Sequence, residues 1–348
     1  MKATAAVLIG LATFSVCELA VALFGIALPQ EQVRLFSEFY IRDSELGFKL
    51  APNLSNYEVT WLNGKLRQRY STDHLGFRNV DRDYSTARYF VIGDSFAFGD
   101  WVEREKTFYG LLENYTGCPV MTLGVSGYEL VQYLVLLEKY VPENDVEKKV
   151  MLFIFANDLD QAKSKADMRH YYEEAGFPLY DDHAPWSTRL SIYRTLTFKL
   201  YVGLRESRQY AIREADNGVL LFRHRGANPN YLRNQYYVGI EKQLSELLGD
   251  VESRADVELV VFLVPSKEST YKAQYRRLVG GSYLSNEEQG YERIEQLLRR
   301  RNVQVHNMTS LFRAESKRIL YFREDPHWNA GGHALMAEAL YASMAEAN

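Results

Sequence analysis

Residues 88–96 read Arg88-Tyr89-Phe90-Val91-Ile92-Gly93-Asp94-Ser95-Phe96, and this stretch decides the fold. Residues of strand-forming type run straight into a glycine turn, so a short buried strand is predicted to end at Ile92. Open α/β sheets bind ligands at the carboxyl ends of their strands, which is where the hydroxyl of Ser95 then stands. The pattern repeats downstream. Short apolar runs at residues 120–123, 150–155, 259–264 and 303–306 alternate with helix-length stretches at about 107–115, 129–140, 231–248, 287–300 and 332–345. Such alternation marks a parallel sheet covered by helices on both faces. The expected fold class is α/β: a flavodoxin-like three-layer sandwich around a central parallel five-stranded sheet.

Outward from this core, the 348 residues carry 41 Lys+Arg against 45 Asp+Glu, a formal net charge of -4. No basic surplus is on offer to a phosphate backbone, so nucleic acid is not an expected partner. With 47% hydrophobic and 25% charged residues the chain has the composition of a folded globular protein. Residues 3–28 are almost wholly apolar, interrupted by Glu18 and stopped by Pro29. As a helix rising about 1.5 Å per residue, this run is long enough to cross a ~30 Å hydrocarbon core. Lys2 favours an amino terminus kept in the cytoplasm and a body exported from it. Residues 1–29 are thus read as a signal anchor. A cleaved signal peptide is the competing reading, because Ala20-Val21-Ala22 has the small-x-small form.

Residues 30–87 form a β-rich lead-in, with strand-like runs at 57–62 and 66–70 around the turn signal Asn63-Gly64. The body proper is expected over residues 88–348. Between its third and fourth strands, residues 159–230 exceed an ordinary crossover and are predicted to hold a crossover helix and an inserted cap. Tyr171, Tyr172, Phe177, Tyr180, Trp186, Tyr193 and Tyr201 in that insertion read first as its own packing and second as platforms for sugar rings or acyl chains. Asp181-Asp182-His183 has no second ligand pair at metal-site spacing and reads as a solvated loop. Cys17 and Cys118 support neither a disulfide framework nor a cysteine metal site.

Ser95 needs a base, and Glu324-Asp325-Pro326-His327-Trp328-Asn329 supplies one just before the last predicted helix. A carboxylate two or three residues ahead of His327, either Asp325 or Glu324, can hold the Nδ1 side of the imidazole while Nε2 faces the serine. Gly124-Val125-Ser126-Gly127 after the second strand and Asn157-Asp158 after the third offer donors to a developing oxyanion. Gly124 reads as structural, Asp158 as a helix N-cap, and His333 as packing within the last helix. Asp94 and Trp328 are the candidates for the wall of the substrate pocket.

The order Gly93-Asp94-Ser95, Gly127, Asn157-Asp158 and Asp325-x-His327, each block at a strand's carboxyl end, resembles the SGNH or GDSL hydrolase family from about residue 88 onward. The resemblance implies Ser95 as nucleophile, His327 as general base and Asp325 as its orienting acid. It also implies an oxyanion hole built from the Ser95 and Gly127 backbone N–H groups and the Asn157 side chain. The α/β-hydrolase elbow G-x-S-x-G is not met, because position 97 is alanine. The common family spacing is Asp-x-x-His, whereas here Glu324 lies three residues before His327 and Asp325 two. Asp-x-His-Trp is similar instead to bacterial exopolysaccharide O-acetyltransferases such as those acting on alginate. Val264-Pro265-Ser266-Lys267-Glu268-Ser269-Thr270-Tyr271 resembles a segment of the same proteins less specifically, and Leu75-Gly76-Phe77-Arg78 resembles membrane-anchored bacterial members without suggesting chemistry.

These readings together predict a serine-dependent carbohydrate O-acyl esterase or acetyltransferase that forms an acyl-serine and uses no cofactor and no metal. Its partners would be an acylated carbohydrate or other ester substrate, the membrane through the N-terminal helix, and components of polysaccharide export. Its expected place is the bacterial cytoplasmic membrane, single-pass, with the catalytic body in the periplasm or outside the cell. The alternatives are a lipid-directed esterase or thioesterase of the same fold, and a catalytically silent polysaccharide-binding subunit of an export complex.

Overall fold

The computed structural model describes residues 13–17, 38–61, 66–159, 212–214, 220–223, 234–278 and 282–346. Residues 13–17 are helical, and the rest of the expected anchor, with Glu18, lies outside the described residues. So do the Asn63-Gly64 turn, the aromatics proposed for the insertion, and Asp181-Asp182-His183. Among the described residues no helix is long and apolar enough to cross a membrane.

Two compact units divide the chain, residues 1–51 with 167–210 and residues 52–166 with 211–348. In the first, β1 (Tyr40–Asp43) and β2 (Gly47–Leu50) pair antiparallel. Asp43 Oδ1 accepts from the N–H groups of Glu45 and Leu46 at 3.0 Å, and Gly47 takes the left-handed φ of 78° that closes the turn.

The second unit opens with an antiparallel pair, β3 (Tyr57–Trp61) and β4 (Leu66–Tyr70), as the lead-in predicts. Its body is a five-stranded sheet of β5 (Tyr89–Ile92), β6 (Val120–Thr122), β7 (Lys148–Phe155), β10 (Val257–Val264) and β11 (Gln304–Asn307). A short antiparallel ribbon, β8 (Ile212–Glu214) with β9 (Leu221–Arg223), falls within the stretch expected to be inserted. The helices are α1 (Ser95–Phe98), α2 (Phe108–Thr116), α3 (Leu130–Tyr140), α4 (Asn234–Ser253), α5 (Lys267–Thr270), α6 (Lys272–Leu278), α7 (Ser282–Arg300), α8 (Thr309–Ala314) and α9 (Ala330–Glu346). Arg299 and Arg300 close α7, where cations suit the helix dipole.

The sheet order is β11-β10-β7-β5-β6, with every pairing parallel. Parallel strands covered on both faces must be apolar throughout, and Phe90, Val91, Ile92 and the run from Val150 to Ile154 are at most 1% exposed. At the centre Phe153 stacks on Phe262 with ring centroids 5.1 Å apart and lies 4.6 Å from Phe108 of α2. Each such side chain contributes about 1.5–3 kcal/mol by leaving water. After β5 the chain goes to one side of it for β6 and then to the other for β7. The reversal opens a crevice between the carboxyl ends of β5 and β7, the usual ligand site of such a sheet.

The lead-in seals the edge of this sheet. Asn79 exchanges two bonds with the backbone of Thr122 in β6, its Nδ2 donating to the carbonyl at 3.0 Å and its Oδ1 accepting from the N–H at 2.8 Å. One side chain therefore satisfies edge groups that would otherwise invite another strand.

Candidate active site

Ser95 owes its position to two glycines and a cap. A Cβ on Gly93 would lie 2.8 Å from Ala97 Cβ and 3.0 Å from the Phe153 carbonyl, so only glycine lets α1 fold back on the strand it leaves. A Cβ on Gly124 would come within 2.5 Å of the α1 backbone at Ala97 and Phe98, which gives that glycine the structural role expected of it. Asp94 caps the helix, its Oδ1 accepting from Phe96 N–H at 2.9 Å.

His327 Nε2 lies 2.7 Å from Ser95 Oγ, and His327 Nδ1 lies 2.6 Å from Asp325 Oδ1. The same Asp325 oxygen accepts from the His327 backbone N–H at 3.0 Å, so one carboxylate fixes both ring and chain. Glu324 instead points toward Arg323, at 3.8 Å, which leaves Asp325 as the partner of the imidazole. The loop is held from behind by Lys267, an almost fully buried cation at the start of α5. Its Nζ donates to the carbonyls of Phe322 and Arg323 at 2.7 Å and of Asp325 at 3.3 Å. The stretch around Lys267 attracts notice in the sequence, yet nothing there shows that its ammonium grips the loop of the candidate base.

Burial pulls the His327 pKa down, but the charges of Asp325, Asp100 and Asp94 outweigh it and hold the imidazole up at about 9. When the ring is charged both its nitrogens donate, and Ser95 Oγ–H can turn to Asp94 Oδ2, 3.3 Å away. When the ring is neutral, with Nδ1–H kept on Asp325, Nε2 can accept the serine proton.

The remaining candidates divide. Gly127 has φ 86° in a turn closed by Tyr128 N–H donating to the Val125 carbonyl at 3.2 Å, a conformation that calls for glycine. Asn157 stands in the 3-10 turn Ala156–Leu159 directly after β7, at the carboxyl end of the strand that neighbours β5. Asp94 itself is 1% exposed, with Oδ1 taken by the cap and Oδ2 by the Ser95 hydroxyl, so it lies beneath Ser95 instead of forming a pocket wall. Trp328 is also displaced from that expectation. It is fully buried, stacked on Phe312 at 4.9 Å and edge-on to Phe96 at 5.0 Å, so it packs under the site.

His333 is a buried packing residue whose Nδ1 accepts from Phe108 N–H at 3.2 Å. Burial lowers its pKa to about 3, so it stays neutral. Asp158 accepts from Phe155 N–H at 2.9 Å and Tyr133 Oη–H at 3.0 Å, and burial pushes its carboxyl well up.

Asp100 escapes sequence reasoning altogether. Gly99 ends α1 at φ 77°, and the N–H groups of Gly99 and Asp100 both return to the Ser95 carbonyl, at 2.9 and 3.2 Å. The reversal brings Asp100 Oδ2 to 3.7 Å from His327 Nε2. The only available signal is a glycine four residues after the serine, which ends the helix after one turn. Arg78 of the lead-in braces this reversal: its buried guanidinium donates to the carbonyls of Phe98 at 3.1 Å, Gly99 at 2.6 Å and Val102.

Residues 241–348 match the model of a family described as the SGNH hydrolase-like domain of the acetyltransferase AlgX. The match supports the resemblance to alginate-type O-acetyltransferases, and it spans the block with Asp325 and His327. Together with the sheet order it marks an SGNH hydrolase fold of the ester hydrolase or acyltransferase class. Among solved structures, a lipolytic G-D-S-L family member from Veillonella parvula aligns at 14% identity over 74% of this chain and 97% of its own, with a TM-score of 0.42. Est24, a carbohydrate acetylesterase from Sinorhizobium meliloti, aligns at 11% identity over 75% and 100%, with a TM-score of 0.39. The acetyl xylan esterase AlAXEase aligns at 13% over 74% and 98%, with a TM-score of 0.37. No curated protein matches the chain.

Proposed function

We propose that this protein is a serine-dependent carbohydrate O-acetyl esterase or acetyltransferase that works through an acyl-Ser95 intermediate. The observation that carries the reading is the unbroken relay from Ser95 Oγ to His327 Nε2 at 2.7 Å and from His327 Nδ1 to Asp325 at 2.6 Å. Acetyl is the group favoured by the family match, and a carbohydrate is the acceptor class favoured by the Asp-x-His-Trp resemblance.

Neutral His327 takes the Ser95 proton as Oγ attacks the acyl carbon, and Asp325 stabilises the imidazolium that results. The Ser95 and Gly127 N–H groups and the Asn157 amide receive the oxyanion. Collapse expels the donor alkoxide, which leaves with the proton from Nε2. Water or an acceptor hydroxyl then repeats the sequence on the acyl-serine. The apolar run at residues 3–28, led by Lys2, would tether this chemistry to a bacterial cytoplasmic membrane with the body outside the cytoplasm.

The test is acetyl release from 4-nitrophenyl acetate by the full chain, with intact-mass detection of the adduct. Ser95→Ala should abolish both adduct and turnover, and His327→Ala should cut turnover by about 10³-fold or more. Equal rates in all three folded proteins, without adduct, would defeat the enzyme reading and favour a silent polysaccharide-binding subunit.

A further inference from the structure

One carboxylate at the site has no part in the relay. Asp100 Oδ1 accepts from Ser126 Oγ–H at 2.8 Å, which aims its other oxygen at His327 Nε2, 3.7 Å away. The backbone around it is forced. Gly99 at φ 77° and Trp101 at φ 65° flank Asp100, both left-handed, and a bulky aromatic in that region is an outlier that persists only where its surroundings impose it. Those surroundings come from the lead-in: Tyr70 Oη accepts the Trp101 N–H at 3.0 Å, while Arg78 holds the carbonyls of Phe98, Gly99 and Val102.

Nε2 is the atom through which an acceptor's proton passes in the second half of the cycle, so the attacking oxygen must sit within hydrogen-bond reach of it. A carboxylate 3.7 Å from the same nitrogen is then placed for the next hydroxyl along, since neighbouring hydroxyls of a sugar ring lie about one hydrogen bond apart. We propose that Asp100 is the acceptor-binding residue of the site and selects a carbohydrate with vicinal hydroxyls, by accepting a hydrogen bond from the hydroxyl beside the one acylated.

The inference rests on the acyl-Ser95 reading and adds the acceptor to it. In the transfer step the acceptor oxygen bonds to the acyl carbon while its proton moves to Nε2. The bond from that carbon to Ser95 Oγ then breaks, and Oγ recovers the proton from Nε2. Asp100 exchanges no proton. Water follows the same route to free acid but has no second hydroxyl to offer. Burial raises the Asp100 carboxyl to about 6, with His327, Ser126 and Arg78 drawing it back, so it is ionised at pH 8.

The experiment measures how acetyl from 4-nitrophenyl acetate divides between water and an acceptor at pH 8, with the full chain. The probes are trans-1,2-cyclohexanediol, cyclohexanol and cellohexaose. Wild type should transfer to the diol in preference to cyclohexanol. Asp100→Asn should lower the transfer-to-hydrolysis ratio at least tenfold for the diol and for cellohexaose, and change it less than about twofold for cyclohexanol. Ser126→Ala, which frees the carboxylate from its anchor, should lower the first two ratios by a smaller factor.

If Asp100 only steadied the imidazolium, hydrolysis and transfer would slow together and the ratio would not move. That result, a wild type that ignores the second hydroxyl, or one that transfers to no acceptor would overturn the proposal. Should Asp100→Asn fail to fold, an unchanged ratio in Ser126→Ala has the same force. Absence of any wild-type acetyl adduct would instead remove the acyl-serine reading beneath it.

Discussion

The charge around His327 makes a quantitative claim about pH. With its pKa held at about 9, the imidazole is neutral, with Nε2 free to take a proton, in only about 1% of molecules at pH 7 and in half of them at pH 9. For wild type, kcat/KM on 4-nitrophenyl acetate, which reports the free enzyme, should therefore rise about 50-fold from pH 7 to pH 9. The charged groups facing the ring are Asp325 on its own loop, Asp100 from the reversal after α1 and Asp94 at the end of β5. Asp100 is the informative one to neutralise, because Asp325 orients the ring and Asp94 caps α1. A unit charge near 4 Å is worth about 1 kcal/mol in water and about 4 kcal/mol at an effective dielectric constant near 20. At 1.36 kcal/mol per pH unit, Asp100→Asn should lower the alkaline inflection by about one to three units. Stopped-flow release of 4-nitrophenol between pH 5 and 10, corrected for buffer hydrolysis, gives both curves. A wild-type inflection at the ordinary histidine value, or one that stays put in Asp100→Asn, would refute the electrostatic account.

Three further outcomes follow from the packing around the site. Lys267→Met removes a buried ammonium from three carbonyls and should cost about 2–4 kcal/mol in denaturant unfolding, with kcat down about 10- to 100-fold and part recovered in Lys267→Arg; an unchanged kcat would show that the loop holds itself. Gly124→Ala must push α1 away from β6, so a destabilisation of about 1–3 kcal/mol and a fall in kcat are expected, and a silent substitution would contradict the close approach. His333 is held neutral with a folded-state value of about 3 against about 6.5 unfolded, so its share of stability is present above pH 6.5 and is lost as the pH falls toward 3. The stability of wild type relative to His333→Asn should therefore drop by about 1.4 kcal/mol per pH unit over that window, and a flat difference would mean that the histidine is not buried as described.

The sheet was legible because its strands are buried on both faces and leave uninterrupted apolar runs between turn signals. Each of the five expected strands lies within two or three residues of an observed one. Ser95 and His327 were legible for a different reason, since each follows a sharp local signal, a glycine turn after a strand and an acidic cluster before a helix. The choice between Glu324 and Asp325 depended on the resemblance, because spacing alone does not say which carboxylate a loop turns inward. Trp328 and Asp94 show the opposite failure. Both adjoin the relay in sequence, but Trp328 points into the core and Asp94 turns beneath Ser95, because a neighbour along the chain lines a pocket only if backbone direction allows it. The roles of Asp100 and Arg78 could not be read from pattern, although Arg78 stands in a stretch that the resemblance picks out. Their roles arise from a left-handed reversal at residues 99–101 and from contact between segments twenty or more residues apart.

Ser95 and His327 are separated by 232 positions in the chain, although 2.7 Å separates their atoms. During synthesis the hydroxyl emerges 232 residues ahead of the imidazole, so a nascent chain that has not reached His327 holds the alcohol without its partner. The pair forms only when the loop holding Asp325 and His327 docks beside the carboxyl end of β5. Under the proposed chemistry, labelling of Ser95 by a serine-directed reagent becomes a readout of folding across those 232 positions, and a chain in which the His327 loop has not docked would leave the reagent unconsumed.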